Sequence, residues 1–304
     1  MVSATRNSLA LYTTIYPGVE QYLQAWSSSV CQQTDRDFDL WVSIDSVEVD
    51  EVLGLLAGRL RPHHIISSRG MSPTEIRIQA IEEMVNRYSA VVFVDADDLL
   101  HPSRVEAARH SLEKSDVAGC ALEIVDQNGR KIGATFGPQI GQDPAPLLPS
   151  YNVFGLSNTA YRSDVLRGCL PLSSETEMID WQLATLAFIR GATLAFDFTP
   201  RMYYRQYAGN LANVLPPFTA HQVSLAATRV LAHYRCLLNG AHDFPNAHRD
   251  TWIAAENRAE AFNKTISSSG ERLDRYVRAL NRLRPRYVWW WCVAHPQLED
   301  IWRN

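Results

Sequence analysis

Short apolar runs and stretches of helical periodicity alternate along the N-terminal part of the chain. Apolar, β-prone runs predict four strands, at 9–16, 38–44, 63–67 and 90–94. Apolar residues recur at helical spacing between them and predict three helices, at 19–30, 47–60 and 76–88. Strands that alternate with helices in this way favour βαβ units and a mainly parallel sheet, so we expect an α/β fold.

The third helix carries a start signal of its own. In Ser72-Pro73-Thr74-Glu75 a serine can cap the helix, a proline fits the first helical position, and a glutamate completes a capping box. The strand at 90–94 is continuously apolar, as expected for a strand buried on both faces of a parallel sheet. These signals predict that the segment from 72 to 94 forms a helix followed by a central strand.

The pattern changes after the fourth strand. Two β-prone runs, 117–125 and 131–136, flank Asn128-Gly129, which is a strong signal for a hairpin. A proline-rich loop follows. The remaining pattern predicts a helix at 173–190, extended chain at 192–198 and 202–207, and helices only from residue 217 onwards.

Polar residues follow three of the predicted parallel strands. Ligands of open α/β sheets bind outside the carboxyl ends of the strands, so these residues mark a candidate site. They are Thr14 and Tyr16 at the end of the first strand, Asp45 after the second, and Asp95, Asp97 and Asp98 after the fourth. Three acids within four residues are costly unless their charge is balanced, and a Mg²⁺ or Mn²⁺ ion bound by carboxylates would balance it.

Two alternatives to a metal site remain open at this stage. An acidic cluster at a strand end is often a helix cap, and Asp97 or Asp98 would then cap a helix that starts near Pro102. Asp45 would then be an ordinary turn residue, with no ligand to bind.

Composition narrows the class of protein. The chain has 304 residues, 46% of them apolar and 20% charged, which excludes disorder and suggests one large domain or a domain with an appendage. The net charge of -4 gives no sign of a nucleic-acid-binding surface. Five scattered cysteines argue against a metal framework, and no run is long and apolar enough for a membrane span or signal peptide. We therefore expect a soluble, cytoplasmic protein.

At this point the sequence resembles a known family. The run VVFVDADDLL at 91–100, with Pro102, resembles the strand and DxD motif of glycosyltransferase family 2, whose members have the GT-A fold. Further segments match in the family's order, at 11–16, 31–45, 72–77, 155–162, 180–181 and 204–210. The resemblance implies a nucleotide-diphospho-sugar transferase fold, with a Rossmann-like mixed sheet over residues 1–216. Residues 217–304 are then expected to form a C-terminal helical extension.

The resemblance also implies roles for individual residues. Asp97 and Asp95 would bind Mn²⁺ or Mg²⁺, and Asp180 would be the general base that takes the proton of the acceptor hydroxyl. The nucleotide-sugar is expected to contact five residues: Thr14, Tyr16, Asp45, Arg77 and Asp95. The acceptor side is expected to include Asn158, Trp181 and Arg205.

The implied chemistry suits these residue types. Displacing a nucleoside diphosphate leaves negative charge on phosphate, which a cation stabilises. A positioned carboxylate assists attack by a hydroxyl, typically by about 10²–10⁴-fold. In-line attack would invert the anomeric centre.

The sequence nevertheless departs from the family pattern in two places. Ile179 stands where the family often has Glu before the base, and Gln206 and Tyr207 stand where it often has a metal-binding His.

The C-terminal region contains a basic helical face. Four arginines share that face, and a run of three tryptophans, 289–291, follows it; the arginines are Arg272, Arg275, Arg278 and Arg282. Basic residues beside tryptophan are typical of segments that lie on a membrane surface. The alternative is a solvated basic face with the tryptophans packed on the catalytic domain or on a second subunit.

The leading hypothesis is a metal-dependent, inverting glycosyltransferase that uses a nucleotide-sugar, with a UDP-sugar as the expected donor and a glycan or lipid-linked glycan as acceptor. Bacterial polysaccharide biosynthesis is the default setting by family resemblance. A second hypothesis is a non-catalytic nucleotide-sugar-binding module of the same fold. A third is a phosphohydrolase with a nucleophilic Asp, which is weakened because its motif should lie on the first strand and because Asp98-Leu99 replaces the expected Gly-Thr.

Overall fold

A computed structural model of the chain describes residues 8–68, 70–207, 209–210, 212–240, 244 and 246–303. Most of the N-terminal stretch in which we expect no signal peptide, residues 1–7, lies outside that part. The strands are β1 (Leu9–Ile15), β2 (Asp39–Asp45), β3 (His64–Ser68), β4 (Ala90–Phe93), β5 (Leu99–Leu100), β6 (Val117–Val125), β7 (Lys131–Phe136), β8 (Thr159–Arg162) and β9 (Leu194–Arg205). The helices are α1 (Leu23–Cys31), α2 (Val49–Leu56), α3 (Pro73–Met84), α4 (Arg104–Leu112), α5 (Ser163–Cys169), α6 (Ile179–Ile189), α7 (Ala220–Asn239), α8 (Asn246–Ser268), α9 (Gly270–Leu280) and α10 (Glu299–Trp302).

These strands form one mixed sheet in the order β3-β2-β1-β4-β8-β6-β9-β5, with β7 paired to β6. The first half of the sheet is parallel: β1 lies between β2 and β4, and β3 pairs with β2. The second half is mainly antiparallel, because β8 runs against both β4 and β6. The predicted α/β class and mixed sheet are confirmed.

The parallel half places the polar strand ends side by side. Every residue of β1 and of β4 is buried, so these strands are fixed between helices on both faces. Parallel strands end at the same edge of a sheet, and this edge therefore carries the residues that follow β1, β2 and β4.

Helix α3 begins as its sequence predicts. The Ser72 side chain accepts a hydrogen bond from the Glu75 backbone N–H, and the Glu75 carboxylate accepts one from the Ser72 N–H at 2.7 Å. Pro73 occupies the first turn. This cap fixes where the helix starts, and it places Arg77 one turn inside the helix at the edge of the sheet.

Two predicted helical regions are shorter in the structure. The helix expected at 173–190 begins only at Ile179, because residues 173–178 are tied to other elements; the Thr176 carbonyl accepts from the Thr74 hydroxyl at 2.7 Å. The expectation of helices only after residue 217 also fails beyond Leu280. Pro285 has no N–H to donate, and Trp290 and Ala294 have positive φ, so residues 281–295 form irregular chain.

This irregular segment packs against the sheet. The Trp289 ring lies 4.0 Å from the Phe136 ring, between centroids, and its indole N–H donates to the Tyr204 hydroxyl at 3.0 Å. Gly155 permits this approach, because a Cβ there would lie only 2.4 Å from the Trp289 ring. The C-terminal region therefore contributes directly to the surface at the carboxyl edge of the sheet.

Candidate active site

A cavity of about 460 Å³ opens at the carboxyl ends of β1, β2 and β4. It lies where the strand order predicts a ligand site. The cavity brings together most of the residues proposed from the sequence: Thr14, Tyr16, Asp45, Arg77, Asp95, Asp97 and Asp180. These residues come from five separate stretches of the chain.

Asp97 lies buried in the wall of the cavity between two tyrosines. Its Oδ2 accepts hydrogen bonds from the Tyr16 hydroxyl at 3.2 Å and from the Tyr207 hydroxyl at 3.0 Å. Burial raises the pKa of Asp97, while the hydrogen bond from Tyr207 lowers it. Tyr207 therefore occupies the neighbourhood in which the resemblance leads us to look for a histidine ligand.

Asp98 has a structural role that differs from that of its neighbour. Its carboxylate accepts hydrogen bonds from the Ser157 hydroxyl and from the Arg205 backbone N–H. Burial and the nearby charge of Asp97 raise the pKa of Asp98 well above its usual value. Neither acid caps a helix, because α4 begins after Ser103 with no side-chain cap, so the capping alternative is wrong.

Arg205 supports the DxD loop, residues 95–98. Its Nε donates to the Asp97 carbonyl oxygen at 2.7 Å, and its Nη1 donates to the Gln127 carbonyl oxygen at 2.7 Å. The guanidinium also lies 4.4 Å from the centre of the Tyr22 ring. Arg205 is buried and does not line the cavity, so the structure places it as a support for the DxD loop instead of on the acceptor side.

Asp95, Asp180 and Arg77 form an electrostatically linked group on the cavity wall. Burial and the carboxylate of Asp97 raise the pKa of Asp95 to about 7. Burial likewise raises the pKa of Asp180 to about 6. The positive charge of Arg77 opposes both shifts, and the Arg77 Nε has no hydrogen-bond partner among the described residues. Arg77 lines the cavity, so its positive charge can act on an anionic ligand there.

Asp180 is oriented by its helix and by an asparagine. It lies in the first turn of α6, where the helix dipole favours a negative charge, and its Oδ2 accepts from the Asn152 side-chain amide at 2.8 Å. Asn152 is fully buried, and its carbonyl oxygen accepts from the Trp289 backbone N–H at 3.2 Å. These contacts fix the direction in which the Asp180 carboxylate faces the cavity.

Two residues proposed for the acceptor side lie in the core. The Asn158 amide donates to the Cys120 and Val153 carbonyl oxygens and is fully buried. Trp181 is also fully buried, stacks on His233 with 4.2 Å between ring centroids, and donates to the Leu148 carbonyl oxygen. Neither side chain lines the cavity, because both are consumed by internal packing.

Sequence reasoning missed several residues that shape the site. Asn152 does not line the cavity but positions Asp180, and the signal that could have found it is its interruption of the apolar run of Tyr151, Val153 and Phe154. Trp289 and Trp290 line the cavity, although they lie more than one hundred residues after Asp180 in the sequence. No local sequence pattern indicates this.

The carboxylates on the cavity wall suit a hard divalent cation. Asp95 and Asp97 supply carboxylate oxygens on one wall, and their raised pKa values show that their charges are poorly compensated by the protein alone. Within the described ranges, no group of three or more His, Cys, Asp and Glu side chains is arranged to hold a metal. Two carboxylates completed by phosphate and water are a common Mg²⁺ arrangement, so the residues fit such an ion.

The C-terminal arginine face and the tryptophan run have different environments. Arg272, Arg275 and Arg278 are exposed on α9, and Arg282 is exposed just beyond it. The run from Trp289 to Trp291 is buried within this chain, and Trp289 packs on the sheet against Phe136 and Tyr204. Of these two features, the arginine face is the one exposed at the surface.

None of the helices in the described part of the chain is both long enough and apolar enough to cross a bilayer.

Comparison with solved structures identifies the architecture. Staphylococcus aureus TarS, residues 1–349 in complex with UDP, has a TM-score of 0.56 and 18% identity, over 88% of this chain and 75% of that one. The mannosyltransferase PcManGT from Pyrobaculum calidifontis, in complex with GDP-Man and Mn²⁺, has a TM-score of 0.57 and 12% identity, over 99% and 88%. This chain has the GT-A fold. The fold predicted from the family 2 resemblance is therefore confirmed.

Sequence comparison gives a weaker link in the same direction. An uncharacterized glycosyltransferase of Nostoc sp. is 26% identical in an alignment of 182 positions that covers 54% of this chain. The chain spans about half the length of that curated relative, at 52%. No protein-family model matches the sequence.

Proposed function

We propose that this protein is a metal-dependent, inverting glycosyltransferase that moves a sugar from a nucleoside-diphosphate sugar to an acceptor hydroxyl. The observation that carries the proposal is the pairing, in one cavity, of the Asp95/Asp97 pair with a separately oriented carboxylate, Asp180. The solved relatives of the same fold that contain UDP, UDP-GlcNAc or GDP-Man support a nucleotide-sugar as the ligand.

We assign the donor to the end of the cavity formed by β1 and β2. Thr14, Tyr16 and Asp45 lie there and offer a hydroxyl, an aromatic ring and a carboxylate to a nucleoside. Arg77, which lines the cavity, would complement the negative charge of the diphosphate. A UDP-sugar is the expected donor.

Asp95 and Asp97 would hold Mn²⁺ or Mg²⁺ together with the donor diphosphate. When bound, the cation supplies electrostatic stabilisation of the charge that develops on the departing phosphate. The hydrogen bonds of Tyr16 and Tyr207 to one Asp97 oxygen hold that carboxylate in a fixed direction. Arg205 fixes the backbone of the same loop through the Asp97 carbonyl.

Asp180 would accept the proton of the acceptor hydroxyl. As the oxygen forms its bond to the anomeric carbon, the bond from that carbon to the phosphate oxygen breaks, and the nucleoside diphosphate leaves. The proton goes to the Asp180 carboxylate, which Asn152 holds in place. A single displacement of this kind inverts the anomeric centre.

The proposal is tested by a thermal-shift panel of UDP-, GDP-, TDP- and CMP-sugars, each with and without Mn²⁺. We expect one donor class to raise Tm in the presence of Mn²⁺ and to have little effect in its absence, because ligand bound only to the native state stabilises it. A cation-dependent shift without turnover on any acceptor would favour the non-catalytic binding module. Release of inorganic phosphate that is lost in Asp95→Asn would favour the phosphohydrolase.

The charge of Arg77 predicts a pH effect. A general base must be unprotonated, so kcat should rise with pH through the pKa of Asp180, which burial raises to about 6 in the ligand-free protein. Arg77 lowers that pKa, and its removal therefore raises it. We expect Arg77→Gln to move the acidic limb of the kcat profile to higher pH, measured at saturating donor. An unchanged limb would contradict the proposed link between Arg77 and Asp180.

The cellular setting is likewise a proposal. We propose a cytoplasmic enzyme of bacterial polysaccharide biosynthesis, with a GT-A domain at 1–216, a helical extension at 217–304, and a glycan or lipid-linked glycan as acceptor. The exposed arginines of the basic face would bring it to the inner membrane surface.

Vesicle co-sedimentation checks the membrane contact. The protein should pellet with anionic vesicles at low salt and be released at high salt, because the attraction is electrostatic. Neutral vesicles are the control. Arg275→Glu together with Arg278→Glu should abolish pelleting; failure of the unchanged protein to bind anionic vesicles at low salt would remove the membrane contact from the account.

A further inference from the structure

A second cavity, of about 430 Å³, adjoins the candidate active site. The two cavities share one stretch of wall, formed by Gly209, Asn210, Ala212 and Trp290. The second cavity extends from there along the start of α7. A ligand that reaches Asp180 from this side would therefore lie in both cavities at once.

Trp290 has unusual surroundings for a nearly buried tryptophan. Its neighbours are anchored, since the Trp289 indole N–H donates to the Tyr204 hydroxyl and that of Trp291 donates to the Val214 carbonyl oxygen. By contrast, no hydrogen bond of the Trp290 indole N–H and no stacking partner of its ring is found in the described part of the chain, although 94% of the residue's surface is covered. The indole is therefore available to a ligand.

The backbone at Trp290 supports the same reading. Its φ is 70°, a left-handed conformation that is rare for a bulky residue. Such strain persists only where the surrounding structure enforces it, and it is concentrated at functional sites. Here it turns the Trp290 side chain into the wall common to both cavities.

The second cavity differs from the first in its charge. The first is lined by four aspartates and a glutamate, whereas the residues that line the second include no Asp or Glu among those the structure describes. Its arginine, Arg229, forms an ion pair with Glu177 at 3.3 Å. Its wall offers the Asn213 amide and the His221 imidazole, for which no hydrogen bond to another described residue exists. The rings of Phe218 and Trp290 complete it. Aromatic faces beside neutral polar groups suit a polyhydroxylated ligand, whose sugar rings present both C–H faces and hydroxyls.

We propose that the second cavity is an acceptor subsite for a glycan of at least two sugar units. Trp290 stacks on the sugar ring at the junction, and Asn213 and His221 hydrogen-bond the unit that lies beyond it. The subsite makes an oligosaccharide a better acceptor than the corresponding monosaccharide. This inference rests on the proposed glycosyltransferase function, and it assigns the acceptor side to residues of the C-terminal region.

The test compares acceptors on the active enzyme with the donor identified by the thermal-shift panel. Monosaccharides and their oligosaccharides of two to four units are the probes. We expect kcat/KM for the preferred oligosaccharide to exceed that of its monosaccharide at least about tenfold, which corresponds to about 1.4 kcal/mol. Asn213→Ala should raise KM for the oligosaccharide while leaving kcat on the monosaccharide and the donor thermal shift unchanged. Trp290→Phe, at the junction of the two cavities, should weaken both acceptors. Thr228→Ala, on α7 but outside the cavity wall, is the matched control.

A direct binding measurement keeps the test independent of turnover. Calorimetric titration of the same oligosaccharides into the nucleoside-diphosphate complex should show binding that weakens in Asn213→Ala and persists in Thr228→Ala. Equal kcat/KM values for monosaccharide and oligosaccharide, or oligosaccharide binding that is indifferent to Asn213 and Trp290, would overturn the subsite. Absence of any donor-induced shift would instead overturn the proposed function itself.

Discussion

Asp180→Asn should lower kcat for sugar transfer by about 10²–10⁴-fold, the usual contribution of a positioned general base. The amide has nearly the shape of the carboxylate but cannot take the acceptor proton. Asn152, which donates to Asp180 at 2.8 Å, can still donate to the amide oxygen. The measurement is the rate of nucleoside diphosphate release at saturating donor and acceptor.

The same variant should bind the donor normally. Removing the negative charge of Asp180 leaves Asp95, Asp97 and the nucleoside end of the cavity intact. We therefore expect the Mn²⁺-dependent thermal shift to be preserved. Asp164→Asn, an exposed aspartate at the start of α5, is the matched control and should retain full activity. Full transfer activity in Asp180→Asn would refute its assignment as the base.

Asp97→Asn should abolish the cation dependence of donor binding and lower kcat by about 10²–10³-fold, because cation stabilisation of the departing phosphate contributes several kcal/mol. The asparagine oxygen can still accept hydrogen bonds from Tyr16 and Tyr207, so the loop should keep its position. Steady-state kinetics and the thermal shift with and without Mn²⁺ provide the measurements.

The Tm of ligand-free Asp97→Asn distinguishes a loss of metal binding from a loss of folding. Burial raises the pKa of Asp97, so its charged form is held at a cost to the native state. The neutral amide removes that cost, and the ligand-free Tm should be equal to or higher than that of the unchanged protein. A marked fall in Tm would show that Asp97 is needed for folding, and Mn²⁺-dependent binding that survives would contradict its role as a ligand.

The parallel half of the fold and its acidic edge were predictable from the sequence. Apolar runs such as 90–94 belong to strands buried on both faces, and side chains that directly follow parallel strands meet at one edge whatever the loops do. The chain therefore had to bring Tyr16, Asp45 and Asp97 together. Their convergence needed only local periodicity and strand direction.

The roles of the individual acids and of Arg205 were not predictable. Asp97 and Asp98 are adjacent in sequence, yet one lines the cavity while the other is buried by Ser157 and the Arg205 backbone. The difference depends on the direction in which each side chain points. That direction is set by hydrogen-bond partners more than fifty residues away in the sequence. The resemblance likewise implies that Asn158 and Trp181 face the acceptor, whereas long-range packing holds both side chains in the core.

The contribution of the C-terminal region to the candidate site was also not predictable from the sequence. The spacing of the arginines on α9 can be recognised in the sequence, because it repeats within one helix. The position of Trp289 and Trp290 depends on the contacts of Phe136, Tyr204 and Gly155, which no local pattern encodes. A segment that reads as an appendage thus forms a wall of the candidate site.

The central claim is that an acceptor hydroxyl, activated by Asp180, displaces the nucleoside diphosphate in a single step within this cavity. Time-resolved ¹H NMR of the transfer reaction tests it most directly, because the coupling constant of the anomeric proton reports the configuration of the first product formed. We expect a product whose anomeric configuration is inverted relative to the donor. A product that retains the configuration of the donor would contradict it.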